Sequence, residues 1–428
     1  MFWEQAINQE VLTDVGLRRT NNEDAASVHI CQSLDEWQRS GHLFIVADGM
    51  GGHAVGELAS KIAIETIPIS HYKSGATTIP ASLHGAVLEA NKAIHTKGVQ
   101  NADFLHMGTT CTTLALGPQG AVIAHVGDSR AYRVRRDRID QLTFDHSLEW
   151  ELSGGRDDIA ELIDLRKHRN IITRSLGPEE KVDVDVEGPH PVFPHDVFVL
   201  CSDGLSNQVE DSEIAAIVRE LSPNQSAKML INLANARGGP DNITVVIAKV
   251  GELPANVNPT IIEEPEVDDN PLSWSYLIGC WVAAMVAVAG FWMYTIEHPI
   301  KGGITAAVGI IGLISVIIAA ARSMKPPPPG ESEVSKTIMG RPHRTGVALS
   351  SKQLYERLLQ VDQQLVETAR ADHWDIDWGT HEKQLRTAVT SAKEQRFGRG
   401  VRYLAKAIDT IMLQLPRATN ASPASTSK

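Results

Sequence analysis

Three apolar runs in the first 250 residues meet an aspartate: LFIVA ends at Asp48, FVLCS at Asp203, and the loop GGP leads to Asp241 just before NITVVIA. A carboxylate at the mouth of a buried strand is costly to ionise unless a positive group meets it. Any fold for this chain must therefore supply cations at those strand ends, and metal ions are the economical source. Glycine follows Asp48 and Asp203 directly, which lets the backbone come close to a bound ion; in DGMGG the Gly49 carbonyl is a further candidate ligand. Carboxylates and a carbonyl, with no thiolate or imidazole cluster, make a hard oxygen site suited to Mg2+ or Mn2+. Upstream, Asn22-Glu23-Asp24 adds acids able to hold metal-bound waters. Each Asp-Gly taken alone is equally a plain turn; the combination is what points to metal.

The chain has 428 residues and a formal net charge of −12. From Glu331 to Lys428 there are 15 Lys+Arg against 11 Asp+Glu, a surplus of +4, which leaves −16 for the portion before it. An acidic N-terminal portion argues against nucleic acid as a partner, because a surface that tracks phosphates needs clustered cations. The four cysteines, Cys31, Cys111, Cys201 and Cys280, form no CxxC pair and read as reduced thiols. The N-terminus MFWEQAINQE lacks the basic and apolar regions of a cleaved signal peptide.

Short apolar runs alternating with turn signals read as strands in LFIVADG, TTCTTLALG, AVIAHVGDSRAYRV, DVFVLCSDG and NITVVIAKV, with GPQG as a hairpin turn. Helices are expected at Val55 to Ile67, Ala81 to Lys97 and Gln225 to Ala236. The organisation expected is a catalytic domain over 1–250, a Pro- and acid-rich linker over 251–273, two transmembrane helices within 274–322, a Pro-rich linker over 323–349, a helical domain over 350–416 and a disordered tail over 417–428. The run Trp274 to Thr295 has no charged residue and is long enough to cross an apolar core of about 30 Å; Ile304 to Ala321 follows as a second span. Arg322 and Lys325 flank the second span while the connecting loop holds only Lys301, so the bias towards positive cytoplasmic flanks places both large portions in the cytoplasm. Past the hairpin, Leu354, Leu358, Leu359, Val361 and Leu365, then Leu385, Val389, Val401, Leu404, Ile408 and Ile411, recur at helical spacing.

Eight segments carry a family resemblance: TDVGLRRTNNED, ADGMGGHAVGE, MGTTCTTL, VGDSRAYRV, DHSL, ITRSLG, LCSDGLSN and GPDNITVV. In this order they resemble the bacterial PPM/PP2C-type metal-dependent protein serine/threonine phosphatases, over nearly all of residues 10–250. The resemblance implies an α+β fold, an α-β-β-α sandwich of two antiparallel sheets flanked by helices. It also implies a hydrolase that uses two Mn2+ or Mg2+ ions, with a weaker third. Asp48 is then the carboxylate bridging two metals, with the Gly49 carbonyl, Asp203 and Asp241 completing the shell. Glu23 and Asp24 act through waters or at the second metal, Asp128 joins Asp203 at the third, and Arg19 grips the substrate phosphate, for which a planar guanidinium is suited.

The chemistry implied is attack on phosphorus by a water that the metal pair activates. None of the cysteines opens the Cys-x5-Arg loop of a thiolate phosphatase. Animal-type members have a histidine directly after the Asp-Gly; here Met50 stands there, and His53, three residues on, is either a proton donor or a cap of the turn. Glu149 to Arg169 corresponds to the family's mobile flap. Other readings are a catalytically weak, phosphate-sensing scaffold of the same fold and an enzyme of small phosphate esters. The expected partners are phosphoserine/phosphothreonine proteins at the inner or plasma membrane, a serine/threonine kinase and its substrates among them.

Overall fold

The computed structural model describes residues 7–52, 54–104, 106–154, 171–251, 274–296, 299–323 and 342–414. Among these residues twelve strands are formed: β1 (Ile7–Asp14), β2 (Asp24–His29), β3 (His42–Met50), β4 (Gly108–Thr109), β5 (Cys111–Gly117), β6 (Gly120–Val126), β7 (Arg130–Arg135), β8 (Arg138–Gln141), β9 (Asp185–His190), β10 (Val197–Cys201), β11 (Ile243–Val250) and β12 (Arg344–Val347). The described helices are α1 (Leu34–Ser40), α2 (Ala54–Tyr72), α3 (Ile79–Val99), α4 (Leu148–Ser153), α5 (Asp203–Ser206), α6 (Asp211–Glu220), α7 (Pro223–Ala236), α8 (Trp274–Thr295), α9 (Pro299–Ser323), α10 (Ser351–Ala371), α11 (Trp378–Lys393) and α12 (Phe397–Met412). One sheet runs β1-β11-β10-β7-β8-β12; the other runs β2-β3-β5-β6-β9, with β4 beside β3. The pairings are antiparallel.

The continuous apolar runs are explained by burial on both faces. Along β3, Leu43, Ile45 and Ala47 face a cluster shared with α2 and α3, while Phe44 and Val46 enter a cluster between the sheets. Along β11 the same alternation sends Ile243, Val245 and Ile247 to the outer layer and Val246, Ala248 and Val250 to the inner one. The layers are thus helices, sheet, sheet, helices. At GPQG the chain turns from β5 into β6, with Gly117 opposite Gly120. Thr78 caps α3 through its side chain and Pro223 begins α7, so local signals and tertiary burial agree.

Residues Met1–Ile261 and Lys336–Lys428 form one compact unit and Ile262–Ser335 a second. Within the first, α10, α11 and α12 bury Leu354, Leu358, Ala388, Leu404 and Ile408 in the same cluster as Ile214 and Ile217 of α6 and Val199 of β10. A Ser350–Gln353 capping box opens α10. The strand β12 lies in the stretch read from sequence as linker; RTGV is too short, and too weakly apolar, to stand out by period. In the second unit, α8 and α9 pack through small residues: a Cβ on Gly290 would meet the backbone of Ala306, and one on Gly309 that of Ala287. Among the described residues no helix is long and apolar enough to cross a membrane, so the two expected membrane spans are not a structural finding.

Candidate metal centre

The acids singled out in the sequence are gathered at one edge of the sandwich by strand register and by a loop held across it. Asp24 opens β2 directly opposite Asp48 near the end of β3. Asp203 starts α5 where β10 ends, and Ser202, the residue before it, donates its hydroxyl to Asp24 Oδ2 at 2.7 Å. Asp241 stands at the mouth of β11, and its Oδ2 accepts from Arg19 Nη2 at 2.8 Å. The loop carrying Arg19 lies against this strand mouth because Gly16, at φ +79°, has no Cβ to collide with the Asp241 carbonyl.

Two sets of side chains hold the acids in place. Asn242 accepts from the Glu23 amide at 2.8 Å and donates to the carbonyls of Val15 and Asn21, each at 2.9 Å. Thr110 Oγ1 accepts from the Asp48 amide at 2.9 Å, and Thr109 Oγ1 donates to the Asp48 carbonyl at 2.9 Å. Neither the asparagine nor the threonines were singled out as site residues in the sequence; the signal was their place inside MGTT and GPDN. Gly49 sits where a Cβ would run into the carbonyls of Gly56 and Glu23, so its backbone alone fits there. The Glu23 side chain is buried and turned towards Gly56.

Electrostatics mark the same group. Burial pushes the Asp48 carboxyl well above the usual range, reinforced by Asp24, Asp203, Asp128 and Asp241. Burial likewise raises Asp24 to about 7 and Asp203 to about 6, with neighbouring carboxylates adding to both. Asp128 is pushed well up by its own burial and by Asp203 and Asp145. One oxygen each of Asp24 and Asp128 is buried with no hydrogen-bond partner among the described residues, a costly arrangement for a polar atom unless an ion is its partner. At the rim, burial works against the Arg19 charge, but Asp241, Glu23 and Asp48 outweigh it and its pKa is raised. The hard oxygen donors and the orphaned carboxylate oxygens fit divalent cations. Among the described residues, however, no three acids or imidazoles are drawn onto a common point at metal-holding distance.

The structure therefore brings Asp24, Asp48, Asp128, Asp203 and Asp241 into mutual electrostatic reach, with Glu23 and Gly49 beside them and Arg19 on Asp241. His53 lies outside the described residues, as does 155–170 of the expected flap. Other histidines serve the fold: His125, buried and pushed down to about 3 by that burial, bonds to Thr112 and to the Phe144 carbonyl. His146 accepts from the Gly127 amide and meets Asp185, bracing the turn before Asp128. Burial pushes the Cys111 and Cys201 thiols up to about 12, which makes them poor nucleophiles.

Residues 18–235 match the family described as Protein phosphatase 2C. The protein phosphatase PhpP of Streptococcus pneumoniae is 36% identical over 248 residues, 56% of this chain and 97% of that protein. The serine/threonine phosphatase stp of Listeria innocua is 36% identical over 248 residues, 57% of this chain and 96% of its own length. Among solved structures, the serine/threonine phosphatase PstP/Ppp of Mycobacterium tuberculosis superposes with a TM-score of 0.51 at 33% identity, over 57% of this chain and 99% of the other.

Proposed function

Since the chain belongs to the protein phosphatase 2C family, we propose that it hydrolyses phosphoserine and phosphothreonine on proteins at the carboxylate site just described. The observation that carries this reading is the convergence of five buried or half-buried aspartates from separate elements on one strand edge, with an arginine at its rim. The residues that would hold Mn2+ or Mg2+ are Asp48, the Gly49 carbonyl, Asp203 and Asp241, with Glu23 and Asp24 behind them and Asp128 beside Asp203 for a further ion. When bound, a pair of such ions supplies an activated water near neutral pH and neutralises charge on the phosphoryl oxygens.

The chain's own groups do the rest. Arg19 offers a planar pair of donors to phosphate oxygens, exchanging its contact with Asp241 for the substrate. Thr109 and Thr110 fix the Asp48 backbone from both its amide and its carbonyl, so that carboxylate meets its partners preorganised. Hydrolysis of a phosphothreonine peptide by the full chain with Mn2+, set beside Asp48→Asn, tests the reading. The substitution should lower kcat by about a thousandfold or more, as loss of a principal charge-stabilising group does; an Asp48→Asn protein as active as the unsubstituted chain would refute it.

We further propose a membrane site for this activity. The α8 sequence holds no charged residue. Trp281, Met285 and Phe291 are each about two-thirds or more exposed, and an exposed apolar face on this scale calls for lipid or protein cover. We read α8 and α9 as a two-span hairpin in the inner or plasma membrane, with the catalytic unit in the cytoplasm among phosphoproteins such as a kinase and its targets. The chain should stay in the membrane pellet through alkaline carbonate washing and leave it with detergent; release by carbonate would refute this.

A further inference from the structure

Asp128 stands at the turn that follows β6, and its neighbours on both sides are tied to one dipeptide, Asp145-His146. His146 grips Gly127 twice: its amide donates to the Gly127 carbonyl at 2.7 Å, and its Nδ1 accepts from the Gly127 amide at 2.9 Å. Gly127 fits there because at φ +113° it has no Cβ to strike Thr110. Asp145 grips Arg130, whose Nε and Nη2 donate to Asp145 Oδ2 at 2.8 and 2.7 Å. Between the two holds, the Asp128 side chain keeps one buried oxygen with no hydrogen-bond partner among the described residues.

The imidazole is itself fixed in place and in tautomer. Because Nδ1 accepts, Nε2 carries the proton, which is donated to Asp185 Oδ2 at 2.9 Å. Arg174 holds the other Asp185 oxygen at 2.8 Å, and the Thr173 amide donates to the His146 carbonyl at 2.9 Å. The His125 ring packs on His146 with centroids 4.9 Å apart. On the far side of Asp128, the Ser129 and Thr110 hydroxyls share a hydrogen bond of 2.8 Å, and the same Thr110 oxygen accepts from the Asp48 amide. Resting on the metal reading above, we propose that His146 and Asp145 are positioning residues for the further divalent ion at Asp128 and Asp203, with the His146 contact to Gly127 as the decisive one. Neither residue meets the ion or the substrate. They act by presenting the Asp128 carboxylate from a backbone braced on both sides, the kind of outer support that sets how tightly a metal is held.

The test reads Mn2+ binding by the full chain in detergent, from the electron paramagnetic resonance signal of the free ion. Loss of the weakest binding step in Asp128→Asn identifies the ion concerned. Two variants then separate the contacts of the imidazole: the amide oxygen of His146→Asn stands where Nδ1 accepts from Gly127, whereas His146→Gln reaches towards Asp185 instead. His146→Gln should weaken the identified step about tenfold, as loss of an outer support does, and leave tighter binding unchanged; His146→Asn should keep most of the affinity. Asp145→Asn, acting through Arg130, should weaken the same step, and it carries the test if neither histidine variant folds. Equal affinities in the two histidine variants, or an Asp145→Asn protein that binds as the unsubstituted chain does, would overturn the inference. No step lost in Asp128→Asn would overturn it too, by removing the ion it concerns. In each case hydrolysis of a phosphothreonine peptide by the unsubstituted chain would leave the phosphatase reading standing, and failure of that hydrolysis would overturn that reading separately.

Discussion

Asp24 and Asp203 show what a single carboxyl reports about its surroundings. In an unfolded chain both ionise near pH 4; in the folded one burial and like charges raise Asp203 to about 6 and Asp24 to about 7. Between those values the folded chain binds the more protons, so metal-free stability falls as pH rises from about 4 to about 7. Cations that displace those protons should offset the loss. The melting temperature of the metal-free protein is thus expected to be lower at pH 7.5 than at pH 5, and added Mn2+ to raise it more at pH 7.5. Scanning fluorimetry at both values checks this, and equal Mn2+ shifts would contradict it. At this scale the principal acids were legible in the sequence, since an aspartate closing an apolar run is odd on its face. Asn242 and Thr110 were not, because their work is to bond backbone atoms of residues 219 and 62 positions away, and nothing local marks a residue for that.

Among the elements, long apolar strands and amphipathic helices were readable because burial imposes a period. β3 and β11 fall within a residue of the runs that announced them and α7 within two, while β10 stops three residues before its run ends, where Asp203 starts α5. The strands β1, β2, β8 and β9 were not singled out: they are half polar and become strands through partners already in the sheet. Nor did periodicity tell what α10 to α12 pack against. They cover α6 and α7, fastened by Arg357 to Glu210 and Glu213 at 2.8 and 3.1 Å and by Asn232 to Asp409 at 3.1 Å. A chain ending at residue 251 would uncover that outer face, at a cost of about 2 kcal/mol for each large apolar side chain exposed. It should melt well below the full chain in detergent or aggregate; calorimetry showing equal melting temperatures would contradict this.

For the molecule as a whole, the sandwich was legible through its ordered motifs, while its closing pieces were hidden by the 93 residues that separate β11 from β12. That separation has a consequence for manufacture. The edge of the first sheet stays bare, and the outer helical layer stays incomplete, until α8 and α9 have left the ribosome. Such a polypeptide finishes its first sheet only after its greasiest stretch has been made, so ripening of the enzyme waits on synthesis of nearly the whole chain.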